Sequence, residues 1–181
     1  KALKMIRKDF PQYYDYYLKL PSEWYRLELV RYFALAKYGG FYVDLDMFCN
    51  KSLDPLCKLD YFVHTHSGRK WKGGGKCLFA ECNTFGFKPG RLNDILKYSR
   101  EQFLEKSKIK VYETWKVRLM LQTVGVKMYA RWCKETGLIP LTHMVCTDLI
   151  IKKDKNDKDK YKKCYFRDHA TQAWLQSKIK I

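Results

Sequence analysis

Tyr38-Gly39-Gly40-Phe41-Tyr42-Val43-Asp44-Leu45-Asp46 reads as a helix end, a glycine turn and a short apolar strand carrying two carboxylates. Upstream, Ser22 follows Pro21 where an N-cap belongs, and neither glycine nor proline interrupts the chain from Glu23 to Tyr38. Leu27, Val30, Ala34 and Leu35 recur at roughly helical spacing, and Gly39 or Gly40 supplies the left-handed residue that ends such a helix. In a strand from Gly40 to Met47, Asp44 and Asp46 share one face, while Phe41, Val43, Leu45 and Met47 share the other. Two carboxylates about 6–7 Å apart repel each other. A divalent cation that prefers oxygen, Mg²⁺ or Mn²⁺, removes the conflict. The simpler alternative is a charged strand end facing water.

A second D-x-D, Asp157-Lys158-Asp159, serves as an internal control. It lies in Lys152-Lys153-Asp154-Lys155-Asn156-Asp157-Lys158-Asp159-Lys160, where interleaved lysines balance the charge and no apolar position anchors a strand. The whole 152–163 run is expected to be a mobile basic loop. Gly73-Gly74-Gly75-Lys76 lacks the spacing of a phosphate loop, and Cys77 stands where Ser or Thr would be needed, so it reads as a loop between strands. His64 and His66 alternate on an expected strand; Tyr61-Phe62-Val63 before them favours buried structural histidines over a metal pair.

Further along, apolar strands at Gly40–Met47, Tyr61–His66 and Phe79–Phe87 alternate with helical stretches at Ser22–Tyr38, Leu92–Lys106 and Thr114–Thr136. This alternation predicts an α/β domain with a mixed, mostly parallel sheet flanked by helices. Ligands of such sheets sit at the carboxyl ends of strands, where Asp44 and Asp46 fall.

The 181 residues suffice for one domain, and 46% hydrophobic with 16% aromatic residues excludes a disordered chain. No apolar run approaches the roughly 18–20 residues of a membrane span. Seven cysteines without a C-x-x-C pair read as reduced thiols, which favours a cytoplasmic location, or the Golgi lumen if an upstream segment carries an anchor. The net charge of +17 attracts polyanions, so a basic nucleic-acid-binding module is the rival class. The basic residues are spread along the chain without a zinc-finger, RRM or KH signature, and nucleic acid is not the expected partner.

Arg31, seven residues, then Gly39-Gly40-Phe41-Tyr42-Val43-Asp44-Leu45-Asp46 resembles the sugar-binding region of DXD glycosyltransferases. These include Och1-type mannosyltransferases, alpha-1,4-galactosyltransferases and, more distantly, the glucosylating clostridial toxins. Three later segments resemble the family in order: Glu81-Cys82-Asn83-Thr84-Phe85-Gly86, Gln122-Thr123-Val124-Gly125, and Asp168-His169-Ala170-Thr171-Gln172-Ala173-Trp174. Glu28 stands where the family usually has Asp, and Ala173 where a serine is common.

The resemblance implies a single GT-A-like nucleotide-sugar-binding domain over residues 1–181, its first strand lying upstream of Lys1. It implies a metal-dependent, retaining hexosyltransferase that uses Mn²⁺, or Mg²⁺, and takes a UDP-sugar such as UDP-glucose to a glycan or glycoprotein acceptor. A non-catalytic sugar-nucleotide binder is the other alternative. By the same resemblance Asp46 binds metal directly and Asp44 contacts metal or ribose. Glu28, Arg31, Asn83 and Trp174 contact the donor, and His169 completes the metal set.

Overall fold

The computed structural model describes residues 1–65, 80–106, 120, 122–138, 145–147 and 166–168. Helix α1 (Ala2–Asp9) ends before Pro11, and the short α2 (Tyr14–Leu18) leads through Pro21 into α3 (Glu23–Tyr38). Ser22 occupies the N-cap position with extended backbone, but its hydroxyl makes no capping bond. The buried face of α3 is set by Tyr25, Leu29, Tyr32, Phe33 and Ala36. Leu27, one of the residues from which the helical spacing was read, is 59% exposed. Four large apolar or aromatic side chains outweigh the Leu27 register because their combined burial removes far more surface from water.

Gly39 ends α3, its N–H donating to the Leu35 carbonyl, at φ 64° and ψ −162°. This backbone region is nearly closed to residues with a Cβ. A Cβ there would lie 2.6 Å from Pro89 Cδ. Gly39→Ala is therefore expected to cost at least about 2 kcal/mol, from backbone strain alone, and to lower the thermal midpoint by several degrees. An unchanged midpoint would show that the turn can be rebuilt without the glycine.

Strand β1 (Gly40–Val43) pairs antiparallel with β4 (Ala80–Phe87), which pairs antiparallel with β3 (Tyr61–Thr65), giving the order β1-β4-β3. A second sheet holds β2 (Met47–Cys49), β6 (Phe166–Asp168) and β5 (Val145–Thr147), with β2–β6 antiparallel and β5–β6 parallel. The expectation of a mostly parallel sheet is thus corrected among the described strands. β1 and β3 do run the same way, as the alternation implies, but β4 slots between them in the opposite sense. Spacing of apolar runs carries no information on strand order, so an inserted antiparallel strand is invisible to it.

Side chains leave the first sheet on both faces. Tyr42, Tyr61, Val63, Phe85 and Phe87 pack with α3, α5 (Asn93–Lys106) and α6 (Val126–Glu135) in the main core. Phe41, Val43 and Phe62 pack on the other face with Met47, Leu56 and Phe166, where Leu56 comes from α4 (Asp54–Cys57). Phe166 therefore ties β6 and the second sheet to the first. In α5, Ile95, Ser99 and Phe103 fall one turn apart on the buried face. The Tyr16 hydroxyl lies 2.9 Å from Ser99 Oγ, which in turn donates to the Thr123 carbonyl at 2.7 Å. The described helix α6 begins at Val126 with Gly125 as its N-cap, residues 120, 122 and 123 upstream are also helical, and the Thr114 start expected from the sequence lies outside the described residues. No described helix is long and apolar enough to cross a membrane.

Candidate functional site

The site forms where α3 crosses the carboxyl end of β1. Arg31 projects from the buried side of α3 and is only 5% exposed. A buried guanidinium must be paired and hydrogen-bonded. Arg31 Nε donates to the Glu28 carbonyl at 3.0 Å, Nη1 donates to the Cys82 carbonyl at 2.8 Å, and Nη2 pairs with the Glu28 carboxylate. Its guanidinium carbon lies 4.8 Å from the centroid of the Tyr42 ring. Asp44 Oδ1 stands 3.8 Å from Arg31 Nη1 and accepts a 2.5 Å hydrogen bond from the Tyr42 hydroxyl. Tyr42 and Asp44 meet because they are two residues apart and leave the chain on one side. That spacing was available in the sequence and was missed; Tyr42 joins the site as a residue that orients Asp44.

Asp44 and Asp46 do not share a strand face. β1 stops at Val43; Asp44, Leu45 and Asp46 form a turn closed by the Met47 N–H donating to the Asp44 carbonyl at 3.0 Å, and β2 begins at Met47. The Leu45 side chain is fully solvent-exposed. The same-face reading assumed that the apolar alternation continues through the carboxylates. Instead the chain reverses there, and Met47 is buried in the second core as part of the next strand. Both carboxylates remain on one short turn at the strand end, half-buried.

Strand β4 supplies the opposite wall. Its register against β3 jumps between Val63–Phe85 and His64–Glu81, so Cys82, Asn83 and Thr84 bulge where β3 has no matching residues. The bulge delivers the Cys82 carbonyl to Arg31 and the Asn83 carbonyl to the Asp44 N–H, at 2.8 Å each. The Asn83 side-chain oxygen is 2.7 Å from Nε2 of His64, which is completely buried. Glu28, Arg31, Asp44 and Asn83, drawn from two elements and a turn, are thereby brought together, with Asp46 two residues on. His64 is the buried structural histidine expected; His66 lies outside the described residues.

Burial raises the Glu28 carboxyl above its ordinary range, opposed by Arg31 and reinforced by Asp44. Burial likewise raises the Tyr42 hydroxyl, keeping it a neutral donor to Asp44. Arg31 holds its charge, its anionic surroundings outweighing the effect of burial. The Arg31 guanidinium faces both Glu28 and Asp44, so carboxylate oxygens gather at this corner of a chain of net charge +17, with Asp46 two residues further along the same turn. Clustered carboxylate oxygens suit a hard divalent cation. No group of three or more His, Cys, Asp or Glu side chains among the described residues is arranged to hold a metal by itself. His169 and Trp174, expected to complete the metal and donor sites, lie outside the described residues. β6 ends at Asp168, opposite Met47, the residue that follows Asp46. The Gly73–Lys76 and 152–163 loops also lie outside them.

A family model described as a glycosyltransferase sugar-binding region containing DXD motif matches residues 1–63. Inositol phosphoceramide mannosyltransferase 3 of Schizosaccharomyces pombe is 47% identical over 64 residues, which cover 35% of this chain and 18% of that protein. Mannosyl phosphorylinositol ceramide synthase CSH1 of Saccharomyces cerevisiae is 37% identical over 62 residues, 34% of this chain and 16% of that protein. Its namesake SUR1 from the same yeast is 38% identical over 68 residues, 36% of this chain and 17% of that protein. The match therefore spans less than a fifth of the length of these relatives. No solved structure matches the chain significantly. The relatives overturn the expectation of a cytoplasmic protein: they are named for mannosylating an inositol phosphoceramide, a lipid whose ceramide confines it to a membrane. Cysteine counting carried that expectation, and unpaired thiols do not by themselves identify a compartment.

Proposed function

We propose that this chain, whose residues 1–63 match the model of the DXD-motif glycosyltransferase sugar-binding region, is a metal-dependent hexosyltransferase with a single GT-A-like domain. The observation that carries this reading is the acid-rich corner around Arg31, Asp44 and Asp46 at the end of β1. Asp44 and Asp46, both half-buried on the turn, would hold Mn²⁺ or Mg²⁺, with His169 as a further ligand. When bound, the ion neutralises charge on the departing diphosphate. Arg31 is held rigid by Glu28, the Cys82 carbonyl and the Tyr42 ring, and gives the donor a cation that needs no reorganisation on binding. Glu28 and Asn83 offer hydrogen-bonding groups to donor hydroxyls, and Trp174 packs on the donor.

The names of the relatives favour a mannosyl nucleotide such as GDP-mannose over UDP-glucose. They also favour the inositol headgroup of a phosphoceramide, at a membrane surface, over a protein-linked glycan. Transfer with retention follows from the family resemblance and asks for no dedicated general base beside the acceptor.

Calorimetry of the full chain with GDP-mannose, UDP-glucose and a random oligonucleotide, with and without Mn²⁺, separates the classes. Mn²⁺-dependent binding of GDP-mannose is expected, with weaker binding of UDP-glucose. Salt-sensitive oligonucleotide binding with no response to either nucleotide-sugar would favour the basic nucleic-acid module instead. Binding without hydrolysis or transfer would mark a non-catalytic binder. Proton NMR of the product anomer tests retention, which an inverted anomer excludes.

A further inference from the structure

We infer that His64 is a positioning residue for the nucleotide-sugar site, fixing the Asn83 carboxamide so that its NH₂ group, rather than its oxygen, is offered to the donor. The inference rests on the donor site proposed above. Asn83 Oδ1 can only accept, so the 2.7 Å contact requires the proton on His64 Nε2. The imidazole is completely buried and stacks against Phe62 with ring centroids 6.1 Å apart and planes at 27°. It is therefore a fixed donor with little freedom to turn.

The backbone of Asn83 is held as firmly, because its carbonyl accepts the Asp44 N–H at 2.8 Å. Both constraints arise at the β3–β4 register break, which frees Asn83 from ladder pairing with β3 and sets His64 beside it. An asparagine anchored at its backbone and at its side-chain oxygen has only its NH₂ end left for a ligand. Beside Asp44, that end matches an acceptor oxygen of a sugar hydroxyl or a phosphate. Without His64 the carboxamide can turn over and present its oxygen, which repels those same atoms. Support of this kind, one layer behind the contacting group, separates an ordered site from a loose one.

The test is a cycle of full-length variants titrated with GDP-mannose and Mn²⁺, with thermal midpoints measured alongside. His64→Leu is expected to weaken binding about tenfold, the size of one lost hydrogen bond. His64→Gln, which keeps a side-chain N–H, should stay within about twofold of wild type. Asn83→Ala should match the His64→Leu loss, and adding His64→Leu to Asn83→Ala should weaken binding no further. A purely structural histidine would lower the midpoint equally in both backgrounds while leaving donor affinity uncoupled from Asn83, and that result overturns the inference. Wild-type binding of GDP-mannose with unaltered affinity in His64→Leu overturns it too, while leaving the donor site standing. Absence of any nucleotide-sugar binding by wild type removes the donor site and this inference together.

Discussion

Arg31→Ala is expected to cost about 3 kcal/mol of folding stability, the lower end for removing one partner of a buried ion pair, and to abolish donor binding with it. The loss is large because one guanidinium serves four neighbours. Without it the Glu28 carboxylate, the Cys82 carbonyl and the Asp44 carboxylate lose a cationic partner, and the Tyr42 ring loses the charge above its face. Urea denaturation should show a midpoint lower by about 1–2 M.

The deficit also carries a pH signature. Burial raises the Glu28 carboxyl in the native state, and Arg31 opposes that rise. A native carboxyl that holds its proton more tightly than the unfolded chain destabilises the fold at high pH. That cost is relieved as pH falls through the raised pKa. Deleting Arg31 removes the opposing influence, so the relief is greater in the variant. Its stability deficit relative to wild type should be narrower at pH 5 than at pH 8. A deficit that is constant or grows on acidification would mean that Glu28 is not the anion Arg31 neutralises.

Asp46→Ala should behave in the opposite way, leaving the fold intact while transfer falls at least about a thousandfold. Loss of several kcal/mol of transition-state charge stabilisation corresponds to that factor. Asp46 lies in the turn between β1 and β2 and contributes no side chain to either hydrophobic cluster. Its removal leaves both clusters packed and should move the unfolding free energy by no more than about 1 kcal/mol. Metal titration followed by activity should show the affinity for Mn²⁺ falling in parallel. Asp157→Ala, in the lysine-interleaved D-x-D, provides the matched control and should transfer sugar as wild type does. Retention of more than about a tenth of wild-type turnover in Asp46→Ala would remove Asp46 from the metal site.

Several parts of this protein were legible from residues alone. The α3 helix is bounded by Pro21-Ser22 and Gly39-Gly40 because its ends need local backbone geometry, extended at Ser22 and outside the usual L-residue region at Gly39, even though the Ser22 hydroxyl makes no capping bond. The DXD stretch was recognisable for a similar reason: the arginine, the paired glycines and the carboxylates lie within sixteen consecutive residues, Arg31 to Asp46. The helix over 93–106, expected over Leu92–Lys106, follows equally local signals.

Tertiary structure decided the rest, because it depends on what meets what across long separations. The helix faces inward through Tyr25, Leu29, Tyr32 and Ala36 rather than Leu27, a choice made by the surfaces of β4 and α6 packed against it. The insertion of β4 between β1 and β3 follows from hydrogen bonding between segments some forty residues apart in the case of β1, which no local periodicity encodes. The same insertion brings the Cys82 carbonyl to Arg31 and Asn83 to Asp44 and His64. Sequence alone determined which residues carry the charges. Only the bulged central strand determined how those charges are held, because a buried cation and its carboxylates must find partners wherever the fold supplies them.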